Sequence, residues 1–467
     1  MITKPGRRAA ILAGLCLFAF APPALAQGLT PAQPAAAAIV QKPLGKAQRG
    51  LILAALREAP THGLPAYGVD DRSTDEALAQ AVIDYAGALH GARMDGKFTG
   101  DWHIRPPSYD ARAAFQQVAG NKNKLRKWLA GLSPRYQGYE QLRAALARYE
   151  GIQATGGWKA IKAPKKTLKV GARDTVVMAL RERLGVEYPG PVPEGNPAVF
   201  DAALSEHLKT EQARLGVPVT GLLDKETVAA LNVPVADRVA TLKMNLERWR
   251  WMPPRLPDYR IEMNLPAQWL EVRRGDDVPL AMKAVVGKPE SPTPMFMDVM
   301  TSLVFNPPWN VPDNIARRDI LPKAKKDKTY LIKHDYVIND DGRVIQMAGP
   351  KSALGKVKFD LNNPFAIYFH DTPNRKLFDY DQRTFSNGCM RLERAEELAR
   401  LILDGDRYWH EGGIEKTLVS GETVGTELKR PVPVFVVYRT AFVQDGKVQF
   451  RSDIYGWDAE LKGVLGS

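Results

Sequence analysis

The sequence predicts an α+β multidomain chain: a helical N-terminal scaffold, a small three-helix module and a β-rich C-terminal domain. Three observations carry that reading. The 467 residues are 45% hydrophobic and 25% charged, an ordinary globular composition with room for roughly three domains of about 150 residues. Apolar residues recur at helical spacing in much of the first half. After the break Met252-Pro253-Pro254-Arg255-Leu256-Pro257, Tyr259, Ile261, Met263 and Leu265 alternate with polar residues at the period of a half-buried strand.

Taken in order, residues 1–26 read as an export signal. Lys4, Arg7 and Arg8 precede an apolar run of about 13 residues, too short for the about 20 that span a bilayer. Ala24-Leu25-Ala26 then places cleavage before Gln27. The expectation is a periplasmic protein with no stable membrane insertion after cleavage. Bulky Leu15 before Cys16 argues against a lipoprotein, which leaves Cys389 as the one cysteine of the mature chain. Residues 27–48 form an Ala/Pro-rich linker. Residues 49–166 read as the helical scaffold, with helical spacing over 75–89 and 139–149; His62, His90 and His103 are taken as surface or structural.

Residues 167–233 form the three-helix module, with helices near 175–184 and 197–215. A turn from Gly216 to Leu223 then leads to Asp224, the expected N-cap of a short helix ending near Leu231-Asn232. Residues 234–258 connect to the β-rich domain of 259–457, and 458–467 are a tail. Further strands are expected at 282–286, 302–305, 434–442 and 447–454, with hairpin turns at Asp341-Gly342 and Asp445-Gly446. A formal charge of +13 would raise nucleic acid for a cytosolic protein. An exported one meets anionic wall polymers instead, so no nucleic-acid partner is expected.

The chemistry is expected between residues 363 and 391. Phe365, Ile367 and Phe369 alternate with Ala366, Tyr368 and His370, so a strand here puts Tyr368 and His370 on one face, with His370 at the end cut by Asp371-Thr372-Pro373. Downstream lies Ser386-Asn387-Gly388-Cys389-Met390-Arg391, followed by a helical pattern of Leu392, Ala395, Leu398, Ala399, Ile402 and Leu403 that stops at Gly405. A free thiol ionises near pH 8.5, so a neighbouring imidazole must take its proton to make a nucleophile. A glycine before it permits a tight turn that aims amides at an oxyanion, and Arg391 suits a substrate carboxylate. The alternative is a buried cysteine acting as a small hydrophobe. The seven histidines are scattered, and none pairs with another ligand at metalloprotease spacing, so no metal or cofactor is expected.

His370 through Arg391, HDTPNRKLFDYDQRTFSNGCMR, resembles the active-site signature of the L,D-transpeptidase (YkuD domain) family. Thr293-Pro294-Met295-Phe296 and the stretch from Phe305 to Pro312 are similar to its large periplasmic branch, which carries a helical scaffold and a peptidoglycan-binding domain. Residues 167–233 resemble that small domain. The resemblance implies a β-rich YkuD-type catalytic domain acting on peptidoglycan stem peptides: Cys389 as nucleophile, His370 as base, and Ser386, Asn387, Gly388, Arg391 and Tyr368 shaping the oxyanion and substrate site. It implies attack on the bond between diaminopimelate at position three and D-Ala at position four, then transfer to an acceptor amine to form a 3-3 cross-link. A hydrolytic family member and an inactive wall-binding scaffold are the rivals. Two residues depart from the pattern: Asn387 stands where histidine is commonest, and Glu211 where the small domain usually has phenylalanine. The basic insertion 313–357, with Lys323, Lys325, Lys326 and Lys328, reads as a cap on the substrate groove or as a solvated loop.

Overall fold

The computed structural model describes residues 39–40, 42–94, 100–191 and 195–465. The expected signal and most of the linker lie outside them. Helices α1 (Lys46–Arg57), α2 (Asp75–Leu89), α3 (Ala111–Ala119) and α4 (Lys122–Ala130) enclose an apolar core of Ile52, Leu78, Val82, Phe115 and Leu125. Thr74 caps α2 by accepting from the Ala77 amide, with Asp75 and Glu76 in the first turn, each favourable at the positive end of a helix. Helix α5 (Gln137–Ala154) leaves this core. Its Tyr139, Leu142, Leu146 and Tyr149 join the larger core beneath the β-rich region.

The small module consists of α6 (Val176–Glu187), α7 (Ala202–Leu215) and α8 (Lys225–Leu231). Asp224 caps α8 as expected, accepting from Thr227 N at 2.7 Å. Gln212 organises the glycine turn: its amide nitrogen donates to Thr220, Leu222 and Thr227, and its oxygen accepts from the amides of Thr220 and Gly221. Glu211, the departure from pattern, is 1% exposed and accepts from Arg214 at 2.6 and 2.8 Å. Arg214 also reaches Glu187 (3.0 Å) and the Val448 carbonyl (3.2 Å). Glu211 is thus committed to a buried ion network that ties α7 to the C-terminal hairpin. The stretch expected as a connector is helix α9 (Val235–Arg250), whose Leu242, Asn245, Leu246 and Glu247 are all fully buried.

The β-rich region comprises β1 (Tyr259–Asn264), β2 (Trp269–Arg274), β3 (Asp277–Gly287), β4 (Phe296–Phe305), β5 (Trp309–Asn310), β6 (Tyr336–Ile338), β7 (Val344–Gln346), β8 (Val357–Leu361), β9 (Phe369–His370), β10 (Thr384–Ser386), β11 (Met390–Leu392), β12 (Val424–Val437), β13 (Ala441–Gln444) and β14 (Lys447–Phe450). The main sheet runs β10-β3-β11-β9-β8-β4-β12-β1-β2, and a further β2–β3 pairing closes it on itself, which removes the exposed edges of an open sheet. Alternate residues of β1, β3 and β12 point into a core with Met263, Met282, Phe305, Phe359 and Val434. The expected strand 434–442 ends at Val437 and resumes at Ala441, because Tyr438 and Thr440 turn out of the ladder to bond Asp453 and Asn245. Strand β14 ends at Phe450, and the Asp445-Gly446 hairpin has both residues at positive φ, the geometry that two-residue turns favour.

The insertion is folded, which goes against the second of its two expected readings, a solvated loop. Strands β5, β6 and β7 form a small sheet. With α10 (Asp313–Ile315), α11 (Leu321–Lys326) and α12 (Tyr330–Lys333) they cover a separate core of Val311, Ala316, Ile320 and Val344. Helices α13 (Ala395–Ile402) and α14 (Ile414–Ser420) flank the barrel, and α15 (Trp457–Leu465) occupies the expected tail, with Trp457 against Tyr438.

Candidate active site

The site lies where β9 and β11 run side by side. Their parallel register sets Met390 beside Phe369 and Arg391 beside His370, while β8 sets Lys358 beside His370 from the other flank. Residues paired across strands share a face, so Lys358, His370 and Arg391 form one row. Cys389 and Tyr368, each two residues back, form the next.

The sequence expectation of a strand over 365–370 is corrected: only Phe369 and His370 pair. Ala366 stands in the left-handed region at φ 55°. Asn363 takes over the local hydrogen bonding, its Oδ1 accepting from the amides of Phe365 and Ile367 (3.1 Å each). Asn side chains compete with the ladder in this way. The expected helix after Cys389 also begins later. Leu392 belongs to β11, and α13 starts at Ala395, so no helix dipole bears on the thiol.

Cys389 is partly solvent-accessible. Its Sγ donates to the Ala366 carbonyl at 3.7 Å and meets the Tyr368 hydroxyl. Burial pushes the thiol above its ordinary value, against the pull of Tyr368, Arg391 and Lys358. His370 is 4% exposed, and its pKa is lowered to about 3, first by burial and then by the Arg391 and Lys358 cations. Its Nδ1 lies 2.6 Å from the Asp371 carbonyl oxygen. A carbonyl only accepts, so the ring donates from Nδ1 there, and the Leu354 carbonyl also faces the ring. The resting site therefore holds a neutral thiol and a neutral imidazole at physiological pH.

The other expected residues fall around this pair. Ser386 is buried, and its hydroxyl accepts from the Gly388 amide at 3.1 Å. Gly388 has φ 116°, and a Cβ there would lie 2.8 Å from Ile367 Cδ1, so the turn requires glycine. Asn387 is exposed and accepts from Arg318 of the insertion at 3.2 Å. Tyr368 sits with its ring 5.7 Å from that of His370 and under the Lys358 ammonium. Burial raises its hydroxyl well above the ordinary phenol value. Arg391 Nε is buried without a hydrogen-bond partner. Among the described residues no carboxylate lies within ion-pair distance of that guanidinium.

Sequence reasoning missed Lys358, Asp371, Thr293 and Tyr455. Asp371 is buried, anchors the Lys356 amide and Arg375, and fixes the imidazole through its carbonyl. Thr293 donates to the Gly388 carbonyl (2.7 Å) and accepts from the Gly287 amide (2.9 Å), and Tyr455 bonds both Gly287 and Thr293. Thr293 and Asp371 lay in stretches the sequence had singled out, Asp371 only as a strand breaker. Lys358 is brought in by strand pairing and Tyr455 by the C-terminal segment.

Residues 258–420 match the model of the YkuD family, the L,D-transpeptidase catalytic domain, and residues 41–146 match the Scaffold domain. A putative L,D-transpeptidase of Haemophilus influenzae is 33% identical over 241 residues, covering 47% of this chain; the chain spans about half that relative, 48% of its length. Similar solved structures include an L,D-transpeptidase from Mycobacterium smegmatis, at 13% identity and TM-score 0.23, covering 38% of this chain and 58% of that one. Another is an L,D-transpeptidase from Stackebrandtia nassauensis, at 11% identity and TM-score 0.25, covering 61% and 100%. At such scores these two likenesses carry no weight. The family matches rest instead on sequence: the segment similar to the YkuD L,D-transpeptidase catalytic domain takes in every strand of the main sheet but β12, and the segment similar to the Scaffold domain takes in α1–α4 and the start of α5.

Proposed function

We propose that the protein is an exported, cofactor-free peptidoglycan L,D-transpeptidase working through Cys389. The observation that carries this is the β9–β11 register, which sets Cys389 one row from His370 and the unpaired Arg391. His370 takes the thiol proton as Sγ attacks the carbonyl carbon of diaminopimelate in a tetrapeptide stem. Gly388 N–H is engaged by Ser386, so the oxyanion falls to the Cys389 amide, for which no acceptor occurs among the described residues. The proton on His370 passes to the leaving nitrogen, the C–N bond breaks, and D-Ala departs. An acceptor amine then attacks the thioester, forms the new amide and returns the proton to sulfur. Arg391 and the lysines of the insertion hold the donor's carboxylates. The insertion, touching the nucleophile turn through Arg318 and Asn387, caps the groove.

The test is incubation of purified protein with a soluble disaccharide tetrapeptide, read by mass spectrometry. Released D-Ala with a dimeric 3-3 product supports transfer. D-Ala with tripeptide alone makes the enzyme a hydrolase, and an unchanged substrate leaves a wall-binding scaffold.

A further inference from the structure

A short segment of the scaffold region reaches into the barrel. Trp102 forms a parallel bridge with Met295, directly before β4: the His103 amide donates to the Met295 carbonyl at 2.7 Å, and the Met295 amide donates to the Asp101 carbonyl at 2.8 Å. Residues alternate as in a strand. Trp102 and Ile104 are each 3% exposed and belong to the barrel's core rather than to the α1–α4 core, with Trp102 against Trp251 at 3.9 Å between ring centroids. Asp101 and His103 face outward and bond each other at 2.8 Å.

The outward face has a partner. The His103 ring lies 4.3 Å from that of Phe365, in the loop 363–367. One residue on, Ala366 holds a left-handed conformation that an alanine adopts only when its surroundings impose it, and its carbonyl is the acceptor of the Cys389 thiol. The next residue, Ile367, is the one that would meet a Cβ on Gly388. The loop is held from within by Asn363 and from outside by His103.

We infer that His103, oriented by Asp101, is a positioning residue: its ring clamps the 363–367 loop so that the Ala366 carbonyl holds the Cys389 thiol in its attack position. The scaffold region then builds one wall of the nucleophile pocket, beyond serving as a spacer. This rests on the proposed transpeptidase reading for its kinetic consequence, but not for its structural one.

The test compares the full-length parent with His103→Ala and His103→Phe, the latter keeping a ring over Phe365. His103 is exposed enough for truncation to leave the fold intact. In His103→Ala, D-Ala release at saturating tetrapeptide should fall about tenfold with KM near the parent's, as for a misplaced rather than a missing group. Amide hydrogen exchange over 363–370 should quicken, and His103→Phe should restore both. A parental rate and parental exchange in His103→Ala would overturn the inference, as would a His103→Phe protein as slow as the alanine variant. If the parent itself releases no D-Ala, the transpeptidase reading fails alone, and the exchange comparison still decides the clamp. Should His103→Ala melt far below the parent, His103→Leu, which keeps bulk but no ring over Phe365, is read in its place.

Discussion

Arg214 and Arg391 are both arginines drawn away from water, and the protein treats them in opposite ways. Arg214 is 1% exposed and faces two carboxylates, Glu187 and Glu211, with Arg183 closing a second pair on Glu187 at 2.7 Å. Burial works against its charge, yet Glu187, Tyr149 and Glu211 outweigh that and hold it above its ordinary value. Arg391 has no such partner, and burial lowers it. A desolvated charge that the fold pairs internally serves position; one left unpaired beside a nucleophile is a place for an incoming anion. The first cluster joins α6 and α7 to the hairpin at Val448, and the second is where the proposed function seats a donor carboxylate.

The largest expected effect comes from breaking the paired cluster. Arg214→Ala leaves Glu211 buried without a cation and Glu187 with Arg183 alone, and should cost about 3–5 kcal/mol of stability, measured by urea unfolding, as for other broken buried pairs. Thiol alkylation in the folded fraction should not change. Arg391→Leu should do the reverse: unfolding stability equal to or above the parent's, since an unpaired charge is removed, and donor turnover lowered about a hundredfold, the scale of one lost electrostatic contact to the reacting group. Equal behaviour of the two variants in both assays would erase the distinction.

Acid titration separates the clusters next. His370 at about 3 and Glu187 at about 2 are both depressed, so each contributes stability present above its unfolded pKa and lost as pH falls towards its folded one. For His370 that window opens below about 6.5, and for Glu187 below about 4.5. His370→Gln should therefore make the stability profile shallower between about pH 6.5 and 3, where His62, also lowered to about 3, keeps part of the slope, while leaving the loss at lower pH, as followed by thermal melts across that range. The smallest effect concerns the thiol itself. Because burial raises it, its alkylation rate should keep climbing above pH 8.5, past the midpoint of a free cysteine, rather than plateau near neutrality as an ion pair would.

What the sequence made legible follows the same division. The Ser386–Arg391 motif, His370 and the Asp224 cap depend on neighbours a few residues away, and their residue types speak for themselves. The role of Glu211 did not, because its reading depends on Arg214 meeting Val448 and Glu187 across the fold. Nor did the barrel closure, since β12 runs parallel to β1 with Ile261 paired to Val434, far apart in the chain. The α9 stretch was expected only as a connector, because nothing local shows that Glu247 and Arg250 are buried against each other. The small module likewise shares the barrel's core through Val177, Leu180 and Leu208, so its deletion would expose that core, and wall binding by 167–233 is better tested by surface substitutions. The alternation over 365–370 misled because Asn363 and the left-handed Ala366 replace ladder bonds with a loop.

The most direct test of the account is intact-protein mass spectrometry after brief exposure to the soluble tetrapeptide. The parent should gain the mass of the donor minus D-Ala, located by digestion on Cys389, and Cys389→Ala should gain nothing and form no cross-linked product while melting like the parent. Cross-linking by Cys389→Ala, or an adduct mapped to any other residue, would contradict it.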